Sequence, residues 1–182
     1  MTDIMCLIRV FTILSLMSVG VRLIRNLRIF CIRGGWTIMA YFPFYVELKD
    51  VSVLIVGGGK VALHKVKRIL DYGPKIKVVA KKVDERIKNI KGVEWEEREF
   101  EDSDVEGVRF VIAAAGDEEL DEHITSLCND KGILINVVDV KDKCDFIFPS
   151  VVSRGKLEIG ISSSGASPRI TTLPVSYTHL TL

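Results

Sequence analysis

Between residues 51 and 162 the apolar positions fall in short runs, separated by stretches with helical spacing. Val51-Ser52-Val53-Leu54-Ile55-Val56 is a largely β-branched run closed by three glycines, the pattern of a strand buried on both faces. From about Val61 to Tyr72, the residues Ala62, Val66, Ile69 and Leu70 share one face of a helix that Gly73 and Pro74 end. Ile76–Ala80 predicts a second strand, Asp84–Ile90 a short helix, the alternating Val93–Arg98 a more peripheral third strand, and Arg109–Ala114 a fourth. Asp117 is placed to cap a helix running to about Asn129, with Gly132 beyond its end, and Ile133–Val138 is a fifth strand. Strands and helices alternating at this spacing predict an α/β fold with a Rossmann-like, doubly wound parallel sheet. After Phe146 the pattern changes: Val151–Arg154 and Leu157–Ser162 flank Gly155 and predict a small β-hairpin.

Composition narrows the class. The 182 residues are 48% hydrophobic and 27% charged, which suits a folded domain and excludes a disordered or low-complexity chain. A net charge of +1 supplies no basic field, so no nucleic-acid partner is expected. Cys6, Cys31, Cys128 and Cys144 form no C-x-x-C and no regular spacing. That speaks against a zinc site or a disulfide framework, and makes a reducing cytoplasm the default location.

The two ends differ from the middle. Residues 1–38 hold five Arg, one Asp and no Lys, and the run Ile4–Val21 is almost wholly apolar, broken by Arg9. This segment reads as translated sequence upstream of a true start at Met39, as a membrane anchor with a basic flank, or as a soluble extension. Residues 175–182 carry no charge and no periodic pattern, and read as an adapter-derived tail or a frayed terminus.

Gly57-Gly58-Gly59-Lys60-Val61-Ala62 fits G-x-G-x-x-A after a predicted strand and at the start of a predicted helix. Gly57 permits the tight turn, Gly59 lets backbone approach a pyrophosphate, and Ala62 lets the helix sit close on the strand. The helix N-terminus then offers free N–H groups to phosphate. Past the second strand, where an acid would hold the ribose of NAD, stand Ala80-Lys81-Lys82. Taken alone, the two lysines favour the 2′-phosphate of NADP or form a solvated loop. Asp139 follows Asn136-Val137-Val138 past the carboxyl end of the fifth strand, where doubly wound sheets bind ligands. It is a candidate general base, or an ordinary turn residue. Ser162-Ser163-Ser164-Gly165-Ala166-Ser167-Pro168 is a small-residue loop suited to capping, to binding carboxylates, or to linking.

Several of these segments, in order over about residues 40 to 170, resemble the precorrin-2 dehydrogenase and sirohydrochlorin ferrochelatase family, also found as the N-terminal module of siroheme synthase. They are Tyr41-Phe42-Pro43-Phe44, Val53–Ala62 with Lys65, Phe110–Ala114, Asn136–Asp139, Phe146–Ser150 and Ser162–Pro168. The resemblance implies an NAD-binding domain over 39–149 and the start of a dimerisation and substrate region over 150–174. It implies oxidation of precorrin-2 to sirohydrochlorin with NAD, and in some members insertion of ferrous iron. Asp139 is implicated in both steps. Lys60, Val61, Lys81 and Lys82 fall where the family touches the dinucleotide, which favours NAD over the NADP reading. Ser162, Ser163, Ser164 and Gly165 fall in the substrate loop, and a homodimer is implied for the full-length protein. The chain departs from the family at His64, at Ser164 and after about Leu173, where helices of the dimer and its cleft are replaced. The rival reading is an NAD-sensing module of the same fold without turnover; native residues 1–38 would instead suit a membrane-anchored regulator.

Overall fold

The computed structural model describes residues 41–163. The expectations for residues 1–38 and 175–182, and for Ser164 and Gly165, lie outside the described residues. Five strands, β1 (Ser52–Val56), β2 (Lys75–Ala80), β3 (Val93–Glu97), β4 (Phe110–Ala113) and β5 (Leu134–Val137), form one parallel sheet in the order β3-β2-β1-β4-β5. Three α-helices cross over between them: α1 (Lys60–Ile69), α2 (Glu85–Lys88) and α3 (Glu118–Lys131). Strands β6 (Ser150–Arg154) and β7 (Leu157–Ile161) pair antiparallel around Gly155, as the sequence predicts.

The unbroken apolar runs follow from burial on both sides of the sheet. In β1, Val53 and Ile55 face a core with Ala62, Leu63, Val66 and Ile69 of α1, while Leu54 and Val56 face a second core with Ile124 and Cys128 of α3. A strand that alternates between two cores has no position left for a polar side chain. β3 is one edge of the sheet, and its Glu94, Glu96 and Glu97 are exposed, charges that blunt an open strand. Helix α1 stops at Ile69 and tightens into a 3-10 turn over Leu70–Tyr72, closed by Gly73 at φ 74°. The predicted helix past Asp117 is present, with the Asp117 side chain accepting from the Leu120 N–H and Gly132 left-handed at its end.

A buried ion cluster fastens the edge. Asp104, 7% exposed, accepts from Arg98 Nη1 at 2.7 Å, from Lys77 Nζ at 3.1 Å and from the Glu101 N–H at 3.0 Å. The Arg98 guanidinium first, with the backbone N–H of Glu101 and the Lys77 ammonium behind it, holds the Asp104 carboxyl down to about 2. A depressed carboxyl stabilises the fold above its ordinary value near pH 4, and that contribution disappears as pH falls through about 2. Asp104→Asn is therefore expected to cost on the order of 2 kcal/mol at neutral pH. Denaturant unfolding should show the gap between variant and parent closing between roughly pH 4 and pH 2; a gap independent of pH would contradict this assignment.

Candidate active site

The connections out of β1 and β4 diverge, because β2 lies on one side of β1 and β4 on the other. Ligands of doubly wound sheets bind outside the carboxyl ends of the strands at this divergence. The glycine turn occupies that place, and its three glycines do different work. Gly57 has φ 116°, and a Cβ there would run into the Ala114 carbonyl and come within 2.8 Å of the Ala115 nitrogen. A Cβ on Gly58 would strike the Lys82 carbonyl and lie 2.8 Å from Val83 Cα. These two glycines let the turn nest between the ends of β4 and β2. A Cβ on Gly59 would meet nothing within 4 Å: its open side faces away from the protein.

Gly59 is also the residue that precedes α1. It has φ −87° and ψ −164°, no side chain caps the helix, and no acid stands in its first turn. The other two α-helices among the described residues differ: Asp84 caps α2 and Asp117 caps α3 with their own carboxylates. An uncapped helix start keeps its orphan N–H groups and positive dipole end free for an anion. Ala62, fully buried, lets α1 lie close on the sheet behind this turn. These residues fit the pyrophosphate of a dinucleotide.

Lys60 and Val61 open α1 with exposed side chains, Val61 at 44%. Lys81 and Lys82 follow the end of β2 on the same sheet edge, beside Gly58. Lys81 Nζ lies 3.0 Å from Glu99 Oε1, and both side chains are largely exposed. Such a pair contributes little to stability, about 0–1 kcal/mol.

Asp139 lies two residues past the end of β5, exposed, in a turn in which the Val140 N–H meets the Val137 carbonyl at 3.4 Å. Its φ is 64°, a left-handed conformation that Asp and Asn tolerate better than other side chains. Among the described residues its carboxylate accepts no hydrogen bond, so it remains free for a ligand. The hairpin register pairs Ser150 with Ile161, which directs Ser162 and Ser163 back toward Pro149 and Phe148. Arg68 of α1 holds that stretch by donating to the Pro149 carbonyl at 3.1 Å.

No motif in the sequence marks the polar cluster at the foot of the Asp139 turn. Lys65 Nζ donates to Asn136 Oδ1 at 3.2 Å and lies 3.9 Å from the centre of the Phe148 ring. Asn136 Nδ2 donates to the Phe146 carbonyl at 2.9 Å, and the Cys144 thiol donates to the Val137 carbonyl at 3.1 Å. Burial pushes the Lys65 ammonium below its ordinary value, aided by Arg68 and opposed by Cys144 and Asp139. Burial also pushes the Cys144 thiol up. One signal was available: Asn136 is the polar residue inside the apolar run Ile133–Val138, and a buried amide needs partners.

A glycine turn, an uncapped helix and a free carboxylate at one sheet edge define a dinucleotide-binding α/β domain. Residues 44–150 match the model of a family described as NAD(P)-binding, and the chain belongs to that family. It is 38% identical over 133 residues to the siroheme synthase of Actinobacillus pleuropneumoniae and, over the same length, 38% identical to that of Thioalkalivibrio sulfidiphilus. Each match takes in 71% of this chain and 27% of the relative. Among solved structures, SirC, precorrin-2 dehydrogenase, superposes with a TM-score of 0.67 at 28% identity, over 78% of this chain and 71% of that one. These matches agree with the resemblance drawn from the motifs, with the Rossmann-like fold and with a nicotinamide dinucleotide as cofactor. Among the described residues no helix is long and apolar enough to cross a membrane.

Proposed function

We propose that this chain oxidises precorrin-2 to sirohydrochlorin on the route to siroheme, with NAD as acceptor and Asp139 as the base. One observation carries the reading: the uncapped start of α1, beside the open side of Gly59, shares a sheet edge with Asp139, whose carboxylate accepts no hydrogen bond among the described residues. Removing two hydrogens from a reduced tetrapyrrole takes a hydride acceptor and a proton acceptor. NAD supplies the first. Asp139 takes the proton, and its exposure leaves it reachable by a bulky substrate. The siroheme synthases and the dehydrogenase among the relatives support the choice of substrate. Incubation of the full-length protein with precorrin-2 and NAD is expected to yield the sirohydrochlorin absorption spectrum. Tight NAD binding without that product would favour a sensor of the same fold.

NAD is favoured over NADP by the resemblance, and Lys81 is already paired with the Glu99 carboxylate, which would repel a 2′-phosphate bound at Lys81. The ratio of kcat/KM for the two cofactors is expected to favour NAD, and a preference for NADP would return Lys81 and Lys82 to that role. A cytoplasmic homodimer is part of the same reading. The largely exposed Phe42, Phe44 and Leu157 offer apolar surface for a second copy. Light scattering of the purified full-length protein tests this: twice the monomer mass is expected, and monomer mass alone would contradict it. Ferrous iron as a second substrate would again rely on Asp139, assisting loss of the pyrrole N–H protons.

A further inference from the structure

The turn that carries Asp139 is held from beneath by polar contacts that begin on the helix of the dinucleotide site. We propose that Lys65 is a positioning residue for Asp139, acting through Asn136 and Cys144; this rests on reading Asp139 as the base. Lys65 stands in the second turn of α1, half-buried, with its ammonium between Asn136 Oδ1 and the face of Phe148. Asn136 is 5% exposed, and its Nδ2 is committed to the Phe146 carbonyl, so its oxygen must face Lys65. The same Nδ2 lies 3.4 Å from Cys144 Sγ. The thiol in turn reaches the carbonyls of Val137 at 3.1 Å and Val140 at 3.3 Å.

Val137 and Val140 are the two ends of the turn that holds Asp139 at φ 64°. A left-handed non-glycine residue persists where its surroundings over-determine it, and this network supplies that constraint. Without Lys65, the buried Asn136 oxygen loses the donor given by these contacts, a costly state that the amide relieves by rotating away from Phe146 and Cys144. The helix that opens on the dinucleotide and the turn that carries the base are thereby tied through one side chain.

The test uses Lys65→Met, which keeps length but removes charge and donors, and Lys65→Arg, which keeps both. Each is made alone and together with Asp139→Asn. Lys65→Met is expected to lower kcat for precorrin-2 by roughly ten- to a hundredfold, as small misplacements of reacting groups do, with KM for NAD unchanged. Lys65→Arg is expected to restore most of the rate. In the Asp139→Asn background Lys65→Met is expected to cost nothing further, because residues acting as a unit are non-additive. Independently of turnover, amide hydrogen exchange across residues 137–145 should speed up in Lys65→Met while β1 and β2 exchange as in the parent. Equal rate losses in both backgrounds, or unchanged exchange at 137–145, would overturn the proposal. Parental turnover by Asp139→Asn alone would instead remove the base assignment, leaving the exchange result to judge what Lys65 holds.

Discussion

Asp139→Asn is expected to bind NAD as the parent does and to oxidise precorrin-2 about a hundred- to ten-thousandfold more slowly, the usual cost of losing a general base. The substitution is clean for a structural reason. Asp139 sits at φ 64°, and Asn adopts that conformation as readily as Asp, so the turn between Val137 and Val140 should survive. No hydrogen bond to the carboxylate is lost among the described residues. What changes is the ability to take a proton. Single-turnover kinetics with saturating NAD isolate that step, and a parental rate would leave Asp139 as a turn residue only.

Gly59→Val is expected to fold normally and to lose dinucleotide binding. The backbone at Gly59 is extended, at φ −87° and ψ −164°, a region open to residues with a Cβ, and a Cβ there would meet no atom within 4 Å. The new side chain would fill the space in front of the uncapped amides of α1. Losing two charge-assisted hydrogen bonds to a pyrophosphate, at about 1.5–3 kcal/mol each, raises Kd by roughly a hundredfold or more. Gly58→Ala is the contrasting control. Its Cβ would press on the backbone of Lys82 and Val83, so it should unfold at lower temperature, with a cost of about 1–3 kcal/mol. Circular dichroism melts and NAD titrations of the two variants separate these roles. A Gly59→Val protein that binds NAD like the parent would move the site elsewhere.

The sheet was legible because β1, β4 and β5 are buried on both faces, so their apolar runs mark the strands to within about a residue at each end. Helix ends were readable where chemistry marks them, as with Asp117 and Gly132 around α3. The end of α1 was less so: apolar spacing continues through Leu70, but the last turn tightens before Gly73. The glycine motif marked the turn after β1, yet its spacing did not show that Gly58, not only Gly57, is required by the fold. The cluster under Asp139 was hidden for another reason. Lys65 and Asn136 are 71 positions apart, and helical spacing gives no sign that a lysine between Ala62 and Ile69 turns inward to an amide on a distant strand.

The open start of α1 is expected to receive a dinucleotide at the sheet edge that carries Asp139. Amide chemical shifts recorded while NAD is titrated into the labelled protein test it most directly. The largest changes are expected at Gly57–Val61, with further changes at Lys81, Lys82 and the turn around Asp139. Changes confined to the opposite sheet edge, around Ser52, Lys75 and Val108, with none at Gly57–Val61, would contradict it.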